Sequence, residues 1–251
     1  MLPDSDGLRA GLDAAFEDAL RPIQNASGPL GVLFSGGVDS ALLAWELRHR
    51  PGVVLCTMGR DGSSDLRAGR LGAELLGLPW ESVAVDRERV RAIEERFLGE
   101  LAGLPSVSRS VLLAIAIAIE GASSKQLLCG QGADELFLGY AHYRGLSEAK
   151  AERRSKEDLA RLRGTDWPRT QRIAERLGKS VLAPYLTYPF EAAATRVPVS
   201  LRLRGDVPKR FFREWAMTRG LPPELAQRPK KAVQYGSGVD ALWKSLRKAG
   251  R

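Results

Sequence analysis

The chain has 251 residues, 44% hydrophobic and 27% charged, the balance of a globular protein with one sizeable α/β core. Two cysteines without zinc spacing give no disulfide framework or zinc motif, and just two histidines argue against a histidine-based metal or acid–base system. The longest apolar run, Val111 to Ile119, is far below the roughly 20 residues that span a bilayer, so no membrane partner is expected. The net charge of +8 is uneven: residues 1–125 hold 13 Lys/Arg against 17 Asp/Glu, and residues 126–251 hold 25 against 13. An anionic ligand or a solvated basic face therefore belongs to the second half. The N-terminus, Met-Leu-Pro-Asp-Ser-Asp, lacks the shape of a signal peptide, and a cytoplasmic location is expected.

In chain order, residues 8–20 carry apolar side chains at helical spacing. Leu30 to Phe34 reads as a buried strand, followed by a Gly-Gly turn and a helix from about Val38 to His49. Val53 to Met58 is a second strand, 65–76 a helix, and Trp80 to Val85 a third strand. Helices over 87–102 and 108–121 lead to a fourth strand, Gln126 to Cys129. Such alternation predicts a doubly wound, Rossmann-like parallel sheet. Past about residue 145 the apolar stretches become helical, at 147–163, 166–177, 208–219 and 237–248, and no strand is expected there. The organisation expected is an N-terminal helix (1–27), an α/β core (28–145) and a helical, basic half (146–251) packed on the same core.

Residues 30–47, LGVLFSGGVDSALLAWEL, interrupt apolar sequence with Ser35-Gly36-Gly37-Val38-Asp39-Ser40. Glycines at a strand-to-helix turn let backbone N–H groups approach an anion at the helix N-terminus, where a βα unit commonly binds a nucleotide phosphate. The glycines are adjacent and no lysine follows them, which excludes both GxGxxG and GxxxxGK[ST]. Asp39 would repel a phosphate unless a divalent cation stood between them, so it points to Mg²⁺ with the nucleotide. The alternative role for Asp39 or Ser40 is a simple helix cap.

The string resembles the PP-loop of the N-type ATP pyrophosphatases, enzymes with a sheet of the adenine-nucleotide α-hydrolase type that split ATP into AMP and pyrophosphate. A second constellation, Gly130-Gln131-Gly132-Ala133-Asp134-Glu135-Leu136-Phe137-Leu138-Gly139-Tyr140, follows the fourth strand. It is similar to the G-x-G-[SA]-D-E-x-F-x-G-Y signature of the asparagine synthetase family. Ala183-Pro184-Tyr185-Leu186, Lys209-Arg210-Phe211-Phe212-Arg213 and the element from Arg228 to Gly238 resemble further motifs of that family, in the family's order.

The resemblance implies an ATP-dependent carbon–nitrogen ligase that adenylates a carboxylate such as aspartate and lets ammonia or another amine displace AMP. It implies pyrophosphate binding by Ser35, Gly36, Gly37, Val38, Asp39 and Ser40, and a Mg²⁺ site shared by Asp39 and Asp134. Leu33 and the Thr57, Met58 and Gly59 backbone would hold adenine and ribose, with Gly130 closing over the nucleotide. Lys209 matches the lysine that neutralises charge at the α-phosphate, and Lys230 a second lysine near the pyrophosphate. Arg153, Arg154, Arg161 and Arg163 are read instead as solvated helix faces.

The chain departs from the family in three ways. Leu2 stands where the family's glutaminase cysteine would be, with about 27 residues before the first strand; free ammonia, another amine or a separate glutaminase subunit is expected. Gln131 replaces a glutamate and cannot act as a general base. Thr187 replaces an aspartate. Beyond its small-molecule substrates and such a subunit, a homodimer is the other assembly expected. Two alternatives stay open: a PP-loop enzyme modifying tRNA, against which stands the lack of a zinc ribbon or RNA-binding module, and a nucleotide-binding regulatory subunit without synthetase activity.

Overall fold

Leu30 to Leu33 must be covered on both faces, as the strands of a parallel sheet are. It lies at the middle of the sheet in the computed structural model, which describes residues 5–203, 207–229 and 232–249. Five strands, β1 (Leu30–Leu33), β2 (Val53–Gly59), β3 (Trp80–Ala84), β4 (Gln126–Leu128) and β5 (Ser180–Leu182), run in the order β3-β2-β1-β4-β5. Every pairing is parallel, with Leu33 beside Cys56, Val32 beside Leu128, and Leu128 beside Leu182. The chain winds outward from β1 to β3, then returns to the other side of β1 as β4. That reversal opens a crevice at the carboxyl ends of β1 and β4, where open α/β sheets bind ligands.

The helices are α1 (Ser5–Asn25), α2 (Val38–Glu46), α3 (Ser64–Leu76), α4 (Arg87–Arg96), α5 (Leu98–Leu101), α6 (Ser106–Gly121), α7 (Ala133–Leu136), α8 (Glu148–Arg161), α9 (Trp167–Arg176), α10 (Tyr188–Thr195), α11 (Val199–Arg202), α12 (Arg210–Thr218), α13 (Pro223–Ala226), α14 (Val233–Gly236) and α15 (Val239–Ala249). The single helix expected over 87–102 is two, because Phe97 leaves helical geometry (φ −117°, ψ 28°) to bury its ring. The larger departure is β5, a strand in the half expected to have none. Only Val181 of its three residues is buried, so no alternation marks it. It exists because Ser180–Leu182 completes the ladder on β4. Next to it, the Lys179 ammonium donates to the Ile119 (2.6 Å), Glu120 and Ala122 carbonyls, a cation closing the C-terminus of α6.

One apolar core runs from Leu12 in α1 through the sheet to Trp243 in α15. Within it, Phe16 stacks on Tyr185 at 5.6 Å and meets Trp215 edge-on at 5.3 Å, while Phe137, Phe190 and Phe212 fill the space between. This aromatic cluster fixes α1, α10 and α12 to the back of the crevice. No described helix is long and apolar enough to cross a membrane.

Candidate active site

The turn after β1 owes its shape to two serines and a left-handed glycine. Gly36 has φ +68°, which a side chain rarely adopts. The Ser40 hydroxyl accepts from the Ser35 amide at 3.3 Å and donates to the Gly37 carbonyl at 3.2 Å. Ser40 therefore braces the loop, and no side chain caps α2. The first-turn amides of this nine-residue helix are left facing the crevice, as anion-binding helix termini require.

Asp39 does not cap the helix either. Its carboxylate oxygens both lie 2.6 Å from Lys209 Nζ, and Asp134 Oδ1 lies 2.7 Å from the same nitrogen. Three residues separated by up to 170 positions thus share one charge cluster. Lys209 is 1% exposed, whereas the carboxylates are about one-fifth exposed and open toward the crevice. Burial would lower the lysine's pKa, but Asp134 and Asp39 outweigh it and hold the ammonium above the usual lysine value.

Close backbone approaches make room for this cluster. A Cβ on Gly130 would sit 2.8 Å from Asp39 Cβ, and one on Gly139 would collide with the Asp134 carboxylate and Lys209 Cε. Leu138 and Lys209 are the two non-glycine residues with positive φ among the described residues, at 56° and 57°. Both adjoin the cluster, as strained backbone at a functional site does.

The remaining expected residues fall into three groups. Leu33 ends β1, and Thr57, Met58 and Gly59 end β2 beside it. The Thr57 hydroxyl accepts from Trp80 Nε1 at 3.0 Å and the Met58 side chain is buried, so only their backbone is offered to a ligand. Gln131 is half-buried, its Oε1 3.7 Å from the Cys129 thiol. Burial pushes that thiol's pKa up to about 12, so Cys129 is a structural group and no nucleophile. Thr187 turns its hydroxyl to the Pro184 carbonyl at 2.9 Å, ahead of α10. Lys230 lies outside the described residues.

Other residues join the site without having been singled out. Arg228 Nη1 donates to the Ser35 carbonyl at 2.9 Å and would touch a Cβ on Gly36 at 3.0 Å, which lays its guanidinium against the glycine turn. Burial lowers its pKa, opposed by nearby Asp65. The Tyr185 hydroxyl donates to the Asp39 carbonyl at 2.9 Å and seats the first turn of α2 on the aromatic cluster. Both belong to motifs visible in the sequence, but only the fold brings them to the glycine turn. At the rim, the Arg60 amide donates to the Ser237 carbonyl at 2.9 Å and Ser64 Oγ to the Gly236 carbonyl at 3.2 Å, so the segment before α15 covers the β2–α3 turn.

Among the arginines read as solvated, Arg153 is 74% exposed and pairs with Glu157 at 3.8 Å. Arg163 differs: it is held by Glu191 and donates to the Leu186 carbonyl at 2.7 Å, next to the Pro184–Leu186 turn. Among the described residues, no three His, Cys, Asp or Glu side chains gather as a cation site. The donor set here is two carboxylates already sharing one cation. That suits Mg²⁺, which takes one or two carboxylates and completes its shell with water and phosphate oxygens.

A family model described as asparagine synthase matches residues 11–176 and 146–250. A putative asparagine synthetase (glutamine-hydrolyzing) 1 of Methanocaldococcus jannaschii is 25% identical over 279 residues, covering 95% of this chain and 51% of its own length. The asparagine synthetase (glutamine-hydrolyzing) of Gallus gallus is 27% identical over 258 residues, covering 97% of this chain and 46% of its own. The chain thus spans about half the length of the curated relatives it matches. Among solved structures, NMN synthetase from Francisella tularensis superposes with a TM-score of 0.44 at 12% identity, over 92% of this chain and 77% of that one. NH3-dependent NAD synthetase from Campylobacter jejuni gives 0.37 at 14% identity, over 93% and 94%.

Proposed function

The chain belongs to the asparagine synthase family, and on that premise we propose that it is an ATP-dependent ligase that forms an amide and releases AMP and pyrophosphate. The observation that carries this reading is the meeting of Asp39, Asp134 and Lys209 at 2.6–2.7 Å in the crevice beside the glycine turn. A carboxylate oxygen of the acid substrate attacks the α-phosphorus of ATP, the bond to the bridging oxygen breaks, and pyrophosphate leaves with that electron pair. An amine nitrogen then attacks the acyl carbon and loses a proton, and AMP departs with the electrons of the carbon–oxygen bond.

The chain's own groups serve the first step by charge and position. The amides of Gly37 to Ser40 at the start of α2 receive the leaving pyrophosphate, and Arg228 supports the turn from the other side. The Lys209 ammonium faces the charge that grows on the phosphates, and Lys230 is proposed to add a second cation. Asp39 and Asp134 would hold Mg²⁺, which when bound neutralises and orients the phosphates. The backbone of Leu33 and of Thr57 to Gly59 would line the nucleoside, and Gly130 would close over it. Gln131 and Thr187, which differ from the acidic residues of the family motifs the sequence resembles, are the positions proposed to select the acid and the amine. Aspartate is the first acid to test, with ammonia supplied free or by a separate glutaminase.

The test is AMP and pyrophosphate formation from Mg²⁺-ATP with a panel of carboxylates, including aspartate, and with ammonia. One acid must stimulate both products in equal amounts, well above the Asp39→Ala background. If none does, the ligase reading fails. Amide formation from aspartate without glutamine would identify both substrates.

A further inference from the structure

Arg213 lies one turn along α12 from Lys209, and its amide donates to the Lys209 carbonyl at 2.9 Å. Its side chain is buried, at 8% exposure, and its described hydrogen bonds all go to backbone carbonyls. Nε donates to Pro208 at 3.1 Å, and Nη1 donates to Ala226 at 2.5 Å and Arg228 at 3.1 Å. A buried guanidinium ordinarily takes a carboxylate partner. Here it spends its planar fork on two loops. One is the peptide just ahead of Lys209, whose left-handed backbone aims the ammonium at Asp39 and Asp134. The other is the segment that lays Arg228 on the Ser35 carbonyl. Burial lowers the pKa of Arg213, opposed by Asp39 and Asp134, so its charge also reaches the cluster.

We propose that Arg213 is a positioning residue that clamps the Lys209 turn to the Arg228 segment and so sets two cations at once against the pyrophosphate-binding turn. This rests on the ligase reading and deepens it. A lysine at 213 keeps a charge but lacks the fork that bridges two segments, so charge alone does not replace it. The clamp acts on geometry: it keeps Lys209 in its left-handed turn and Arg228 over Gly36, and displacements near 1 Å at such groups cost about 100-fold in rate.

The test uses Arg213→Lys and Arg213→Ala in the full chain. Hydrogen–deuterium exchange needs no reaction. Both variants should exchange about tenfold faster at residues 207–212 and 226–229, with β1, β2 and β4 unchanged, as for a local opening. Steady-state pyrophosphate release should then show kcat down about 100-fold in Arg213→Ala and about tenfold in Arg213→Lys, with a smaller change in the KM for ATP. Millimolar guanidinium ion should recover part of kcat in Arg213→Ala. The clamp is overturned if both segments keep wild-type exchange, or if Arg213→Lys retains kcat within about threefold of wild type. It is equally overturned if kcat falls together with the melting midpoint and guanidinium restores neither. If Arg213→Ala does not fold, Arg213→Lys decides alone. If the wild type releases no pyrophosphate with any acid, the ligase reading falls while the exchange pattern still tests the clamp.

Discussion

Replacing Gly139 by alanine should strike the charge cluster with a single methyl group. The backbone of Gly139 is not left-handed, so alanine is conformationally allowed, and by itself such a change stabilises by about 0.4–1 kcal/mol through the unfolded chain. The new Cβ, however, would lie 3.0 Å from Asp134 Cγ and collide with its Oδ1 and with Lys209 Cε. Both groups are held: the ion pair is 2.7 Å long, and Lys209 is further tied to Asp39. Clearing the methyl needs a shift of about 1 Å, and overpacking of this kind costs roughly 1–3 kcal/mol. The net expectation is a loss of about 0.5–2 kcal/mol, or a fall in melting midpoint of a few degrees in a chain of this length. Urea unfolding with an unchanged m-value gives the stability term, and pyrophosphate release should fall about 100-fold. Gly11→Ala is the matched control: nothing lies within 4 Å of its Cβ in the middle of α1, so it should stabilise by about 0.5–1 kcal/mol. A Gly139→Ala protein as stable and as active as the wild type would refute the proposed geometry of the cluster.

Three further outcomes follow from the same structure. Lys209→Met leaves Asp39 and Asp134 facing each other without their cation. It should destabilise by about 3 kcal/mol, the low end for a broken buried pair because the carboxylates are partly exposed. Millimolar Mg²⁺ should restore part of that loss in thermal melts while leaving the wild-type midpoint nearly unmoved. Lys179→Met removes the ammonium from three carbonyls at the end of α6 and should cost about 1–2 kcal/mol by chemical denaturation; a loss below about 0.3 kcal/mol would show that water serves those carbonyls as well. Burial pushes Cys56 and Cys129 up to about 12, above the 9.0 of an unburied thiol. Above pH 9 the unfolded chain gives up thiol protons that the native chain keeps, so these groups make stability fall as pH rises from 9 toward 12. At pH 8 a thiol reagent should modify neither cysteine in the folded protein and both in denaturant.

Much of the site was legible in the sequence because its chemistry is local. Ser35 to Ser40 carry their own turn geometry, with glycine at the left-handed position and a carboxylate in the first turn of α2. Apolar runs bounded by turn residues located β1, β2 and β4, since a strand inside the sheet announces itself by composition. β5 left no such trace: three residues with one buried side chain have no period to read, and their strand state comes from the neighbouring ladder. The same holds for Arg213, whose one-turn spacing from Lys209 is visible but whose carbonyl partners at 226 and 228 are not.

By itself, the sequence determined the parallel sheet and the glycine turn after β1 and singled out both carboxylates, because strand composition, glycine backbone freedom and acidic side chains act over a few residues. The tertiary structure alone decided that Asp39, Asp134 and Lys209 meet at one point. The strand order 3-2-1-4-5 sets the ends of β1 and β4 side by side, and the aromatic cluster behind them holds α12 close enough for the lysine to reach both acids. Charges up to 170 residues apart interact at full strength only once packing has brought them within 3 Å and excluded water from between them.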